Sequence, residues 1–121
     1  MAGISVYEKL QHDFIMIRFL YSQTHTDTES VLDIENDMKS IRFELKEKDC
    51  REHGILLSCI DTLFGMIKEG KREKIYDFSD AVHNITEICT GGRTFDAFEP
   101  EIKRFCKKYG MEFSVQHQHS I

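Results

Sequence analysis

The eight residues Phe14-Ile15-Met16-Ile17-Arg18-Phe19-Leu20-Tyr21 contain one charge and leave no side of a helix polar enough to face water. A helix that is apolar on every side must find cover on more than one of them. The run therefore predicts a buried hub, either central among packed helices or at a subunit interface. It is far shorter than the roughly 20 residues that cross a bilayer. It also starts too late, without a basic leader, to be a secretory signal, and Ala2 after Met1 lacks the myristoylation pattern. The expectation is a cytoplasmic chain with no membrane segment.

The rest of the chain supplies partners for this hub. Tyr7, Leu10, Phe14, Ile17 and Tyr21 recur at steps of three and four, the signature of one helical stripe, and predict a first helix from Gly3 to Tyr21. Ile15, Met16 and Phe19 fall on its other side at about 100° per residue. Thr26-Asp27-Thr28-Glu29 reads as a capping box for a second helix with the stripe Val31, Ile34, Met38, Ile41 and Leu45. Leu32 and Phe43 lie off that stripe and roughly in line, a small association surface. Asp49 and Glu52 offer a further capping pair for a third helix carrying Leu56, Cys59, Ile60, Leu63, Phe64 and Ile67, closed by Gly70 as a C-cap glycine, with one long helix running through from the second as the competing reading. A fourth helix carries Ile75, Phe78, Val82, Ile85 and Cys89, and stops at Gly91-Gly92. Pro100 suits the first turn of a last helix whose Ile102, Phe105, Cys106 and Tyr109 face inward. Met111, Phe113 and Val115 alternate as a short extended tail would.

One proline and seven glycines in 121 residues are too few for a strand-and-turn architecture. The sequence thus predicts an all-α bundle of four to five helices, with the first helix central. Residues 1–115 form one helical domain and residues 116–121 a frayed C-terminal tail. Cys50, Cys59, Cys89 and Cys106 lack the paired spacing of a zinc or redox motif and read as reduced structural residues. A net charge of −5 disfavours a nucleic-acid partner. The basic edge Lys103, Arg104, Lys107 and Lys108 complements the dipole of the last helix, with RNA binding there a third reading.

Among residues with chemistry, Asp77, Asp80 and His83 stand one turn apart, with Glu87 four beyond. Such a set can share a divalent cation. A metal site in a bundle core needs its ligands projecting inward, however, and Tyr76, Asp80, His83 and Glu87 point away from the apolar stripe. That face is expected in solvent or against a partner, with Tyr76 and His83 as interface candidates. Glu44-x-x-Glu47 followed by Asp77-x-x-Asp80 resembles the carboxylate pattern of all-α nucleotide pyrophosphatases. The resemblance covers these four residues and implies Mg²⁺-dependent nucleotide hydrolysis with Glu44, Glu47, Asp77 and Asp80 holding the metal. The family's doubled glutamate is missing, since Phe43 precedes Glu44, and Asp77 replaces the second motif's glutamate. Arg18 and His25 resemble the arginine–histidine spacing of HEPN-class ribonucleases, which implies binding of an RNA phosphate, although Phe19 stands where that class has a polar residue. The segments EKIYDFSDAVHNI and FCKKYG resemble small uncharacterised helical proteins of bacteria, a likeness that transfers no functional residue.

The leading expectation is a non-enzymatic interaction or regulatory module without a resident cofactor. Its partner is a second copy or another protein, met through Ile15, Phe19, Leu32, Phe43, Tyr76 and His83. The alternative is the Mg²⁺-dependent hydrolase.

Overall fold

A computed structural model describes residues 5–48, 50–90 and 95–111. The predicted stripes become five helices: α1 (Val6–Tyr21), α2 (Thr28–Lys46), α3 (Arg51–Glu69), α4 (Arg72–Thr90) and, after a 3₁₀ turn at Phe95–Phe98, α5 (Glu99–Lys108). No strand occurs among the described residues. The expected tail lies outside them beyond Met111, which packs against the core.

Local chemistry sets the helix ends, in places differently from expectation. At α1, Ser5 Oγ accepts from the Glu8 amide and the Glu8 carboxylate accepts from the Ser5 amide, both at 3.2 Å. This capping box starts the helix at Val6; the expected start, Gly3, lies outside the described residues. At α2 the expected Thr26–Glu29 box is replaced by Asp27, whose Oδ1 accepts from the Glu29 amide at 3.1 Å. A carboxylate is the stronger acceptor at the positive end of a helix. The Ser30 hydroxyl and amide hold the Asp27 carboxyl below its ordinary pKa, and Thr26 is drawn off by a bond from Arg72. Helices α2 and α3 are separate, and Cys50 at the α3 N-cap makes no side-chain cap bond. Asp49, of the expected Asp49–Glu52 pair, lies outside the described residues.

Gly70 ends α3 in the left-handed region at φ 72°, as expected. Nothing lies within 4 Å of where a Cβ would sit, so crowding does not decide the cost of a side chain there. Gly70→Ala is expected to cost about 1 kcal/mol through backbone conformation alone. Urea denaturation should show this loss and a smaller one for Gly70→Asn, which tolerates that region better.

The pairings between helices give the topology. Gln11 meets His83, Arg18 meets Asp80, and Arg72 bonds the Tyr21 carbonyl, so α1 and α4 run antiparallel. Arg42 meets Asp61 while the Leu45 carbonyl meets His53, so α2 and α3 do too. Each of the first four helices packs on its sequence neighbour, and α4 closes the ring on α1. Inside lie Leu10, Phe14, Ile17, Met38, Leu45, Leu56, Ile60, Leu63, Ile75, Phe78 and Val82, all essentially inaccessible. The buried Ile55 and Ile88 extend the expected stripes, whereas Ile34, Phe64, Ile67 and Cys89 are only partly buried against the core.

Helix α5 docks on α4 through an aromatic cluster. The Phe78 ring stacks on Phe105 (centroids 5.6 Å apart) and meets Tyr109 (5.0 Å) and Phe14 (6.2 Å) edge-on. α4, packed on α1, α3 and the 3₁₀ turn, is as central as α1, which packs mainly on α4 and α2. The second side of α1, though, is not covered by another helix: Ile15 is 43% and Phe19 55% exposed.

Candidate functional site

The polar face of α4 lies along the α1–α4 seam. Arg18 Nη1 reaches Asp80 Oδ1 at 2.6 Å, and its guanidinium sits 5.8 Å from the Tyr76 ring centroid. The side-chain amide of Gln11 lies 3.4 Å from His83 Nδ1, and His83 Nε2 lies 3.7 Å from Glu87. Asp77 faces the other way, toward α5, where its Oδ2 accepts from the Tyr109 hydroxyl at 2.8 Å and lies 3.6 Å from Lys108 Nζ. Arg18 thus joins two helices. Asp61 takes a two-pronged bond from Arg42 at 2.8 and 3.0 Å.

Of the four carboxylates in the pyrophosphatase-like pattern, Glu44 and Glu47 are exposed at the end of α2. Asp77 and Asp80 are engaged in different contacts on α4. Among the described residues, no three histidine, cysteine or acidic side chains come together as a metal would require. His25 is exposed in the link after α1, while Arg18 is bound to Asp80, so the two residues of the HEPN-like spacing serve separate surroundings. On α5, Lys103 pairs with Glu99 and Lys108 with Asp77.

Cys59, Cys89 and Cys106 are poorly suited to act as nucleophiles. Burial pushes the Cys106 thiol up to about 11 and the Cys89 thiol up to about 12, and raises Cys59 strongly. An attacking sulfur needs the thiolate, which these surroundings disfavour.

Two buried polar groups were not among the expected site residues. His53, 5% exposed, donates from Nδ1 to the Leu45 carbonyl at 2.8 Å, since a carbonyl can only accept. Its Nε2 is then free to accept from the Tyr7 hydroxyl, also at 2.8 Å. Burial is the main cause that raises the Tyr7 pKa, which keeps the hydroxyl a donor. Asp13, 6% exposed, faces α2. Both had a signal in the sequence. Asp13 lies about 40° from Ile17 around α1, and His53 about 20° from Ile60 around α3, so each polar residue sits on an apolar stripe.

Shallow recesses mark the described surface. One of about 230 Å³ lies between α4 and α5 over Ile85, Ile88 and Phe105. One of about 180 Å³ lies beside Cys50 and His53. The second is lined by Cys50, His53, Lys46 and Lys48, but both ring nitrogens of His53 are engaged, by the Leu45 carbonyl and the Tyr7 hydroxyl. The exposed apolar residues are the other prominent surface feature: Ile15, Phe19, Leu32 (54%), Phe43 (72%) and Tyr76 (40%). Five of the six expected interface residues are thus open to solvent, and His83 is partly buried beside Gln11. Compared with protein-family models, curated proteins and solved structures, the chain matches none of them.

Proposed function

We propose that this chain is a non-catalytic association module that pairs with a second copy of itself through the outer faces of α1 and α2. The observation that carries the reading is the placement of four large apolar side chains on two helices that pack side by side. Ile15 and Phe19 are one turn apart on α1. Leu32 and Phe43 are in line on α2, about 16 Å apart along its axis. The titratable groups expected to carry chemistry on α4 are instead used between helices, as Arg18–Asp80 and Asp77–Tyr109.

Geometry bounds the strength of the association. Helices of 16 and 19 residues are about 24 and 28 Å long and about 10 Å wide, so together they offer a footprint of roughly 500 Å². This is below the ~800 Å² per partner of a standard stable interface. The expected complex is weak, with a dissociation constant in the micromolar range or above. Sedimentation velocity from about 1 to 200 µM should show the mean mass rising with concentration. The double variant Phe19→Lys with Phe43→Lys should stay monomeric with an unchanged thermal midpoint. A wild-type protein monomeric across the whole range would end the proposal.

A further inference from the structure

Asp13 stands apart from the other acidic residues because it is buried and one of its oxygens has no partner. Its Oδ2 is sealed from solvent with no conventional donor. Oδ1 lies 3.9 Å from Nδ1 of His12, whose side chain is 72% exposed. Across the α1–α2 contact, the carboxyl of Asp37 comes within hydrogen-bonding reach of Asp13. Two ionised carboxylates are acceptors only, so they cannot bond to each other. They can do so if one of them keeps a proton.

The surroundings favour a proton over a metal ion as the group between them. Calcium takes six to eight oxygen ligands and magnesium about six. Here two carboxylates meet, with no third metal-ligating side chain gathered among the described residues. Of the charged groups of α4 that face α1, Arg72 reaches the Tyr21 carbonyl at the far end of α1, while Asp80 faces Arg18 and His83 faces Gln11. Arg18 and Gln11 lie about 140° and 160° around the helix from Asp13.

We infer that Asp13 and Asp37 share a single proton, which clasps α2 to α1. Burial, followed by the hydrogen bond and charge of Asp37, pushes the Asp13 pKa from 3.8 up to about 8. The folded state therefore binds this proton more tightly than the unfolded chain does. The stability it contributes is complete below the ordinary aspartate value, declines as pH rises, and is gone above about 8.

The test compares wild type with Asp13→Asn, a neutral isostere whose amide can donate to Asp37, in urea at about pH 5 to 9. The wild-type folding constant, divided by that of the variant, should fall by up to about tenfold per pH unit through this window and level off above it. His12 lies 3.9 Å from Asp13, so the same ratio is also measured in a His12→Gln background. Asp37→Asn gives Asp13 an amide donor and removes a like charge, so the decline should begin at lower pH. Should Asp13→Asn fail to fold, the Asp13 side-chain carboxyl carbon followed by NMR in the wild type supplies the same answer. A midpoint near 8 supports the shared proton, and one near the ordinary aspartate value overturns it. Millimolar Mg²⁺ or Ca²⁺ that raises the wild-type thermal midpoint at pH 8, but not that of Asp13→Asn, would also overturn it, in favour of a cation.

Discussion

Phe78→Ala is expected to cost about 3–5 kcal/mol, a large fraction of the stability of a domain this size. Phe78 is fully buried and its ring touches Phe14 of α1 and Phe105 and Tyr109 near the end of α5. Removing it leaves a cavity where three elements meet, and each neighbour is fixed by a helix that cannot slide to fill it. Phe43→Ala removes the same atoms from a side chain that is 72% exposed, and should change stability by no more than about 0.5 kcal/mol. Urea denaturation followed by circular dichroism at 25 °C separates the two. The loss for Phe78→Ala should come with weakened docking of α5, visible as faster amide exchange along Ile102–Tyr109 than in the Phe43 variant. Equal costs for the two substitutions would show that the aromatic cluster is not the centre of the core.

The bundle was legible because the helical period is a property of a single segment. Leu10, Phe14 and Ile17, or Ile75, Phe78 and Val82, declare a buried side whatever they pack against, and these residues are buried. The same logic placed Leu32 and Phe43 outside the α2 stripe, and they are exposed. Helix starts were harder to read, because Thr26, Asp27 and Thr28 can each cap a helix by chemistry. The choice among them involves a residue 46 positions away, Arg72, which takes the Thr26 hydroxyl. No local pattern contains that information.

The same distinction explains the candidate site. Periodicity gives the direction of a side chain but not what faces it. Arg18 and Asp80 are both polar residues at the margin of an apolar stripe, and only the antiparallel register of α1 and α4 sets them 2.6 Å apart. Asp77 likewise reads as one of a carboxylate pair with Asp80. Three residues along a helix sets two side chains about 60° apart, enough to direct Asp77 to Tyr109 and Asp80 to Arg18. What the sequence could have flagged is a polar residue on an apolar stripe. Asp13 and His53 both fit that description, and both are buried.

His53 carries the second large expected effect, because it closes the end of one helix from the start of the next. The last carbonyls of a helix have no partner within it. At Leu45 the amide of Lys48 reaches the carbonyl only at 3.4 Å, whereas His53 Nδ1 donates at 2.8 Å. The ring is then held from its other side by Tyr7, so α1, α2 and α3 meet at one imidazole. His53→Ala is expected to cost about 3 kcal/mol, combining a small cavity with a carbonyl left poorly bonded. Tyr7→Phe keeps the ring and loses one hydroxyl, for about 1 kcal/mol. If the two groups act through their shared bond, the double variant should cost about 1 kcal/mol less than the sum of the singles. Simple additivity in urea denaturation would mean that Tyr7 and His53 stabilise the bundle separately. In that case the His53–Leu45 bond alone would fix the α2–α3 turn, and Tyr7→Phe would leave amide exchange at that turn unchanged.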